Sequence, residues 1–323
     1  MKKGGIAMIV RQLEIKMNFE AVTLKHKKII NPYLYQYGES SCQHSFAAMF
    51  CLADKYCDSV CENDGWLFVH RAGISSKTER AYLFPMGDYS NEGRLRGAIE
   101  AILEDAHRYG AAVRFETLTA AAKDAVVRLF PGKFSVTALR DYSEYIYTYD
   151  KLVNLPGPQL RSRRYDIRSF YRNYGSRTHI EIIEEKHLDE IRRFQKMWLE
   201  NRLNGEEDAQ LEHENIAIQL GLSNYAELEF TGIVMYIDHV LCGYAYGVPL
   251  SASSFDVIIE KGDRRIPDIY RALNRDLVRI CCSEYQYINR EEDVGVEGLR
   301  RAKLSYYPDI LLEKYLLREV INE

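Results

Sequence analysis

The order of predicted helices and strands occurs twice along this chain of 323 residues, and that repetition limits the folds open to it. In each half, hydrophobic periodicity predicts a helix, antiparallel strands, a helix, a strand, a helix and a last strand. This order is typical of a mixed sheet with helices packed on it and excludes all-helical and all-β folds. We therefore expect an α/β fold of the α+β type with mixed sheets, divided into two domains of about 150 residues each.

The boundary between the halves is predicted from two prolines and a glycine in Asn154-Leu-Pro-Gly-Pro158. We predict an N-terminal domain over 1–154, a basic linker helix over 155–178 and a C-terminal domain over 179–323 that carries the site. In the first half, helices are predicted at 45–56, 95–109 and 120–130, and strands at 65–70, 81–85, 113–117, 133–139 and 144–147. In the second half, helices are predicted at 185–201, 267–282 and 297–304, and strands at 232–238, 242–249, 255–260, 285–289 and 310–318.

Charge and cysteine content narrow the class of protein. The net charge of −4 gives no global basic field, so binding to nucleic acid or to an anionic membrane requires a local patch. The seven cysteines include no CxxC pair and no histidine at metal-site spacing, which argues against disulfides and structural zinc. The charged residue Arg11 interrupts the N-terminal segment before it is long enough for the apolar core of a signal peptide. No apolar run in the sequence approaches the ~20 residues that a membrane span requires. We expect a soluble, cytoplasmic protein.

Residues 160–174 of the linker helix contain five arginines and one acidic residue, Asp166. Four of the arginines form a stripe beside the apolar face: Arg161, Arg164, Arg168 and Arg172. Arg163 falls inside the apolar arc, where a charge requires a partner. One interpretation is a solvated helix flank with Arg163 paired to a carboxylate. The other is a phosphate-binding stripe for tRNA, a cofactor or a lipid headgroup, because the guanidinium fork matches phosphate bidentately.

The strand at 255–260 leads through a polar loop into a helix with Pro267 in its first turn. A strand end, a loop and a helix N-terminus together are a common anion site in α/β folds. Glu260 ends the strand. The candidate substrate- or phosphate-binding side chains of this segment are Lys261, Arg264, Arg265, Tyr270 and Asn274.

A second loop, after Asn289, places Glu291, Glu292 and Asp293 between a strand end and a helix that carries Arg300 and Lys303. Three neighbouring carboxylates raise one another's pKa and are able to bind a cationic substrate or act as a base. Alternatively, the loop is a solvated helix cap that the two cations neutralise. No G-x-S-x-G, G-x-G-x-x-G or P-loop motif accompanies it, so no nucleophile elbow or nucleotide signature is present.

These segments carry a resemblance to a known family. Residues 255–274 and Ile288-Asn-Arg-Glu-Glu-Asp-Val-Gly-Val-Glu-Gly-Leu-Arg-Arg-Ala-Lys-Leu-Ser-Tyr-Tyr-Pro308 resemble the phosphatidylglycerol lysyltransferase C-terminal-domain-like family. Residues 32–46 and the Leu155-Pro-Gly linker with its arginines do so too, and the similarity spans nearly the whole chain from about Asn31. The resemblance implies two tandem GNAT (acyl-CoA N-acyltransferase) folds, similar to the Fem-type aminoacyltransferases. Its membrane-attached relatives move an amino acid from aminoacyl-tRNA to a lipid headgroup.

Two departures from the family pattern matter. This sequence has no transmembrane flippase portion, so its acceptor need not be a lipid. Gly262-Asp-Arg-Arg-Ile-Pro also lacks the glycine-rich pyrophosphate loop of GNAT acetyltransferases, which makes acetyl-CoA a poorer donor unless Arg264 and Arg265 compensate.

The resemblance implies aminoacyl or acyl transfer to an amine or hydroxyl. We expect Glu260 or Glu292 to take the acceptor's proton or bind its cationic group, and Asn289 and Tyr306 to polarise the carbonyl. Lys261, Arg264 and Lys303 are expected to meet phosphate or carboxylate.

The expected donor is aminoacyl-tRNA or acyl-CoA, and the expected acceptor is a small molecule, a peptide or a lipid headgroup. We expect no metal, no covalent nucleophile and no tightly bound cofactor. Two alternatives stay open at this point. One is a non-catalytic tandem-GNAT module that binds tRNA or a small molecule, and the other is an acetyl-CoA-dependent N-acetyltransferase.

Overall fold

The computed structural model describes residues 17–203 and 208–321. The strands within these ranges are β1 (Glu20–Ala21), β2 (Asp58–Asn63), β3 (Trp66–Arg71), β4 (Glu79–Tyr82), β5 (Met86–Gly87), β6 (Ala112–Leu118), β7 (Phe134–Ala138), β8 (Glu144–Thr148), β9 (Thr178–Ile182), β10 (Thr231–Ile237), β11 (Val240–Pro249), β12 (Ser254–Gly262), β13 (Tyr287–Asn289), β14 (Ile310–Leu312) and β15 (Tyr315–Glu319). The helices are α1 (Lys27–Tyr37), α2 (Phe46–Cys51), α3 (Ala53–Tyr56), α4 (Glu92–Arg108), α5 (Ala120–Leu129), α6 (Tyr149–Asn154), α7 (Arg161–Tyr174), α8 (Glu185–Leu203), α9 (Ala209–Ser223), α10 (Ile269–Cys281) and α11 (Glu297–Leu304).

The strands form two mixed sheets, which confirms the predicted fold class. The first sheet has the order β1-β2-β3-β4-β6-β15-β7, with β5 paired to β3. The second has the order β14-β8-β13-β12-β11-β10-β9. A parallel pair lies within each sheet, β4 with β6 in the first and β12 with β13 in the second.

Each sheet contains one strand from the other half of the chain. β8 pairs with β13 and β14 in the second sheet, whereas β15 pairs with β6 and β7 in the first. The single strand predicted at 310–318 is therefore wrong, because β14 and β15 belong to different sheets and Glu313 and Lys314 cross between them. The boundary predicted at residue 155 stays a prediction, with one strand exchanged across it in each direction.

Other differences from the predicted elements have local causes. The helix predicted at 45–56 is interrupted at Leu52, whose φ of −94° and ψ of 19° are not helical, and so becomes α2 and α3. The strand predicted at 81–85 overlaps β4, which ends at Tyr82, and the short β5 begins after it at Met86. Elements α1, α6, α9, β1, β2, β5 and β9 were not predicted. In α1 only Ile30 and Leu34 are buried, which is too few for a recognisable apolar stripe.

Three clusters of buried apolar side chains hold the layers together. One lies between α4, α5 and the first sheet, and a second lies between α6, α7, α10 and the second sheet. The third is shared by both halves, since Leu34 and Leu67 of the first half pack in it with Ile191, Ile218 and Tyr244 of the second. Because this shared core loses apolar burial if the halves separate, we expect the halves to move as one body.

A buried ion pair joins the two exchanged strands. Glu144 at the start of β8 and Lys314 just before β15 both have fully buried side chains, and their Oε1 and Nζ atoms lie 2.7 Å apart. Glu144 also accepts hydrogen bonds from Ser41 Oγ (2.8 Å), the Cys42 amide (2.9 Å) and Asn289 Nδ2 (2.5 Å). These donors outweigh burial and lower the pKa of Glu144. The carboxylate therefore fixes three distant chain segments at one point.

We expect Lys314→Met to lower the free energy of unfolding by about 3 to 5 kcal/mol, because it leaves the Glu144 carboxylate buried without its cation. Chemical denaturation measures the change. Lys186→Met is the matched control, since the exposed Lys186 pairs only with surface glutamates and its loss is expected to leave stability unchanged. The double variant Glu144→Gln, Lys314→Met is expected to lose less free energy of unfolding than the two single variants lose in sum. A Lys314→Met protein as stable as the Lys186→Met control would contradict the structural role of the pair.

Candidate functional site

A bulge in β12 decides which face of the second sheet each of its acidic residues occupies. Asp256 and Glu260 are four residues apart and would share a face in a regular strand. Gly247 of β11 opposes Val257, but the next pair joins Tyr246 to Ile259, so one residue is inserted and the alternation reverses. Asp256 therefore faces the N-terminal half, and Glu260 faces the side of α10.

A loop of the N-terminal half, residues 38–44, covers the meeting point of β12 and β13. Ser40 Oγ donates to Ser254 Oγ at 2.9 Å, and Asn289 Nδ2 donates to the Ser40 carbonyl at 3.0 Å. Glu39 and Ser40 both have positive φ angles, 51° and 58°. The short 3-10 turn Cys42–His44 follows and is capped by the Ser41 side chain. The first half of the chain thus completes a site whose other residues come from the second half.

Three carboxyl groups and one lysine meet beneath this loop. We define the acidic cluster as Asp256, Glu291, Glu292 and Lys303. The Cys42 thiol donates to Glu292 Oε2 at 3.3 Å, and Gln43 Nε2 donates to Glu292 Oε1 at 3.4 Å. Arg71 in turn donates to Gln43 Oε1 at 3.0 Å, and Lys303 Nζ donates to the Glu292 carbonyl. The orientation of the Glu292 carboxyl group therefore depends on side chains of the N-terminal half.

Burial sets the protonation of the acidic cluster. Desolvation raises the pKa of Asp256 well above its ordinary range, and the charges of Glu144 and Glu292 raise it further. Desolvation likewise raises the pKa of Glu291, to which Asp256 and Glu292 add. The same burial lowers the pKa of Lys303, although Glu291 and Glu292 oppose the shift. Asp256 and Glu291 therefore keep their protons to a higher pH than exposed carboxyl groups do, and Lys303 is less basic than an exposed lysine.

Glu260 belongs to a separate group on the other face of the sheet. Arg290 Nη2 donates to Glu260 Oε2 at 2.7 Å, and the guanidinium lies 5.3 Å from the Tyr306 ring centre and 5.9 Å from that of Tyr147. Arg290 directly follows β13, whose pairing with β12 ends at Asn289. Burial raises the pKa of Tyr306. The predicted residues Glu260 and Tyr306 are therefore brought together, but apart from Glu291 and Glu292.

The predicted residues Asp293 and Arg300 hold the acidic loop in place. Asp293 is fully buried and accepts from Arg300 Nε (2.9 Å) and Nη2 (2.7 Å), from Tyr145 Oη (2.5 Å) and from the Gly295 amide (2.9 Å). These donors outweigh burial and lower the pKa of Asp293 to about 2. Asn289 is similarly occupied, because its Oδ1 accepts from the Glu291 amide at 2.8 Å and its Nδ2 is bound to Glu144 and Ser40.

The cations predicted at the end of β12 and in the loop after it have different surroundings. Lys261 is buried and donates to Glu214 of α9 at 2.7 Å. Arg265 binds Asp263, while Arg264 is exposed. On α10, the Tyr270 hydroxyl accepts from the Trp198 indole at 3.1 Å. Asn274 is buried, and neither of its amide atoms has a hydrogen-bond partner among the described residues.

The arginine stripe of α7 is only partly available to a ligand. Arg161 and Arg168 are exposed, but Arg164 donates to the carbonyl groups of Leu155 and Gly157 and so caps the linker. Arg163 meets Asp166 at 3.2 Å on the same helix, and this ion pair supplies the partner that its position on the apolar arc requires.

The sequence did not reveal Asp256 as a member of the acidic cluster, nor the residues that surround the cluster. Asp256 lies in a strand between apolar neighbours, and Glu144 begins another strand. Cys42 and Gln43 come from the other half of the chain, and Lys314 lies in a segment predicted as continuous strand. The single available signal was a charged residue inside an apolar run, at Asp256. Within the described ranges, no group of three histidine, cysteine or carboxylate side chains is arranged to hold a metal ion.

The chain is similar to known sequences and solved structures. The family model described as "Phosphatidylglycerol lysyltransferase, C-terminal" matches residues 35–318. A crystal structure of a conserved protein of unknown function from Bacteroides thetaiotaomicron is 25% identical, covers 94% of this chain and 100% of that one, and has a TM-score of 0.88. The structure of L-PGS from Bacillus licheniformis is 14% identical over 92% of each chain, with a TM-score of 0.64, and shows the fold alone.

An uncharacterised protein of Mycoplasmoides gallisepticum is 23% identical over 193 residues, which are 58% of this chain and 60% of that protein's length. The tandem GNAT-like architecture expected from the resemblance is confirmed by the structural matches and the two mixed sheets. Among the helices in the described ranges, none combines the length and apolarity needed to cross a membrane.

We expect Asp256→Asn to stabilise the protein increasingly as the pH rises. Because the folded-state pKa of Asp256 is raised, the folded protein binds more protons than the unfolded chain above the ordinary value of 3.8, so this carboxyl group lowers stability as pH rises. The variant and the unmodified protein should therefore have equal denaturant midpoints near pH 3. As the pH rises to 8, the midpoint of the variant should become progressively higher than that of the unmodified protein.

Asp309→Asn is the opposite control. The pKa of Asp309 is lowered, chiefly because hydrogen bonds from Lys151 and the Thr148 amide outweigh burial, so its contribution is present above the ordinary pKa and lost as pH falls. At neutral pH the Asp309→Asn protein should therefore be less stable than the unmodified protein. If the stability of Asp256→Asn relative to the unmodified protein changed with pH as that of Asp309→Asn does, the raised pKa of Asp256 would be contradicted.

Proposed function

Because this chain belongs to the family of phosphatidylglycerol lysyltransferase C-terminal domains, we propose that it transfers an aminoacyl group to an amine or hydroxyl acceptor. The observation that carries the proposal is the acidic cluster. One buried carboxyl group, Asp256, and two half-buried ones, Glu291 and Glu292, lie with one lysine at the junction of the two halves, which matches the recognition of a cationic group such as the ammonium of an aminoacyl donor. Family and fold support the broader class, a lysyltransferase-like acyltransferase.

In the proposed reaction, the acceptor's nitrogen or oxygen attacks the carbonyl carbon of the aminoacyl ester. The new bond forms as the acceptor loses its proton, and the ester C–O bond then breaks to release the donor's hydroxyl group. We assign the proton acceptor to Glu292, because Gln43 and Cys42 fix its carboxyl group by hydrogen bonds. We assign proton donation to the leaving oxygen to Glu291, whose raised pKa favours the protonated form.

Glu292 supports this role better than Glu260. Glu260 is bound to Arg290 at 2.7 Å and lies on the opposite face of the second sheet from the acidic cluster. Asn289 positions Glu144 and the acidic loop, so in this proposal it acts through other residues and does not polarise the carbonyl. Lys303, beside Glu291 and Glu292, is our candidate for stabilising the charge that develops on the carbonyl oxygen.

A basic face supports tRNA as the carrier of the donor. Helix α10 packs on α7, and the two helices together contain eight arginines and two aspartates. Arg275 lies 4.9 Å above the Tyr171 ring, and the Tyr171 hydroxyl donates to Asp276, so the two helices are locked together. A concentrated positive charge on a chain of net charge −4 favours a polyanion with phosphates at regular spacing.

The decisive measurement follows the label of radiolabelled aminoacyl-tRNA and, separately, of labelled acetyl-CoA in incubations with candidate amine, peptide and lipid acceptors. We expect transfer from aminoacyl-tRNA, and we expect Glu292→Gln to reduce it about 100-fold or more, in the range of a lost proton-transfer group. Glu297→Gln removes one exposed carboxylate from α11 and should leave transfer unchanged. Transfer from acetyl-CoA alone would replace this proposal with N-acetylation. Binding of tRNA without any transfer would favour a non-catalytic module.

Replacement of Arg168 and Arg172 by alanine tests the basic face. Both arginines are exposed and have no ion-pair partner among the described residues, so their loss should weaken tRNA binding and reduce the slope of log Kd against log salt by about 1 to 2. The control Arg128→Ala, Arg301→Ala removes the same charge from exposed positions outside this face. Equal salt slopes for both double variants would show that α7 does not bind phosphate.

A further inference from the structure

A single tyrosine interrupts the arginines on the outer face of α7. Arg161, Tyr165, Arg168 and Arg172 follow one another at steps of four, three and four residues, so they lie in one line along the helix. All four residues are exposed to solvent. At a rise of 1.5 Å per residue, the line is about 16 Å long. We define these four residues as the exposed stripe.

The packing of the fold does not account for Tyr165. It is 61% exposed, and among residues 17–203 and 208–321 no other ring and no cation stacks on its ring. Tyr109 is similarly exposed at 64%, but the Arg80 guanidinium covers it at 4.0 Å from the ring centre. The other tyrosines of α7, Tyr171 and Tyr174, pack against the core of the second sheet. Tyr165 therefore presents an open aromatic surface between guanidinium groups.

The acidic residues of the two basic helices are already neutralised. Asp166, the one acid of α7, meets Arg163 at 3.2 Å and Arg271 at 3.0 Å. Asp276 of α10 is fully buried and meets two arginines of its own helix at 2.9 and 3.3 Å. The arginines of the exposed stripe have no ion-pair partner in the part of the chain that the structure describes. The charge that the stripe presents to solvent is therefore positive.

An exposed ring within a line of arginines matches RNA whose bases are not paired. Guanidinium groups bind the phosphates, and an aromatic ring stacks on a base that is turned out of a helix. In duplex RNA the bases stack on one another and offer no face to a side chain. We propose that the exposed stripe binds unpaired nucleotides of an RNA, with one base stacked on Tyr165.

The location of the stripe indicates which part of the RNA it contacts. Helix α7 packs on the α10 side of the second sheet, whereas Asp256 of the acidic cluster faces the N-terminal half. The nucleotide that carries the aminoacyl group at the acidic cluster is therefore on the other side of the sheet from the stripe. We assign the unpaired nucleotides to a loop of the RNA. This inference rests on the proposed use of tRNA and names the part of it that α7 contacts.

Binding of RNA without an aminoacyl group tests the inference. The probes are a labelled hairpin RNA with an unpaired loop and a blunt duplex with the same number of phosphates, and fluorescence anisotropy gives their Kd values at one salt concentration. We expect the hairpin to bind about fivefold or more tightly than the duplex, because only the hairpin offers a base for stacking. Tyr165→Ala should raise the Kd of the hairpin about fivefold or more, and Tyr165→Trp should restore the affinity. Tyr109→Ala is the matched control, since it removes an equally exposed ring outside the stripe and should leave the Kd unchanged.

The salt dependence separates the ring from the arginines. Stacking releases no counterions, so Tyr165→Ala should weaken hairpin binding without changing the slope of log Kd against log salt. The inference is overturned if Tyr165→Ala binds the hairpin as tightly as the unmodified protein does, or if the duplex binds as tightly as the hairpin. Hairpin binding that depends on Tyr165, in a protein that transfers no aminoacyl group, supports the stripe and contradicts only the proposed reaction.

Discussion

The buried ion pair between Glu144 and Lys314 is the constraint on which the rest of the structure depends. It lies where the two halves exchange strands, and the carboxylate accepts further hydrogen bonds from Ser41, Cys42 and Asn289. A buried charge with that many partners tolerates little displacement, since each lost donor leaves an uncompensated charge. The loop that covers the second sheet, the strand that leads into the acidic loop and the last strand of the chain are thereby held to a common point.

Because the Glu144–Lys314 ion pair fixes the two halves to each other, side chains from both halves keep fixed positions around the acidic cluster. The 38–44 loop brings Cys42 and Gln43 to Glu292, and Arg71 supports Gln43 from the first sheet. The shared apolar core stops the halves from separating. Burial in a packed environment raises the pKa of a carboxyl group, and for Asp256 and Glu291 desolvation is the largest cause of the shift. The raised pKa of these two groups is therefore a consequence of packing at the junction.

The bulge in β12 then divides the second sheet into regions with different chemistry. It places Asp256 with the acidic cluster and leaves Glu260 with Arg290 on the opposite face. Farther along the same strand, Lys261 donates to Glu214 of α9 and lies 3.9 Å from the Trp198 ring centre. One inserted residue thus separates groups that lie within six residues of one another in sequence.

Periodicity alone determined the two-half mixed α/β architecture and most elements, because helices and strands with one buried face leave a repeating pattern of apolar residues. The resemblance of residues 255–274 and 288–308 identified the family and located Glu291, Glu292 and Lys303. The strand exchange could not be predicted, because residues 310–318 read as a single strand and two adjacent charged residues, Glu313 and Lys314, do not by themselves mark a crossing between sheets. The roles of Glu144, Asp256 and the 38–44 loop depend on contacts between residues more than 100 positions apart. Local pattern fixes which face of an element is buried, whereas only the tertiary structure decides which polar groups share a buried space, because that proximity arises from long-range packing.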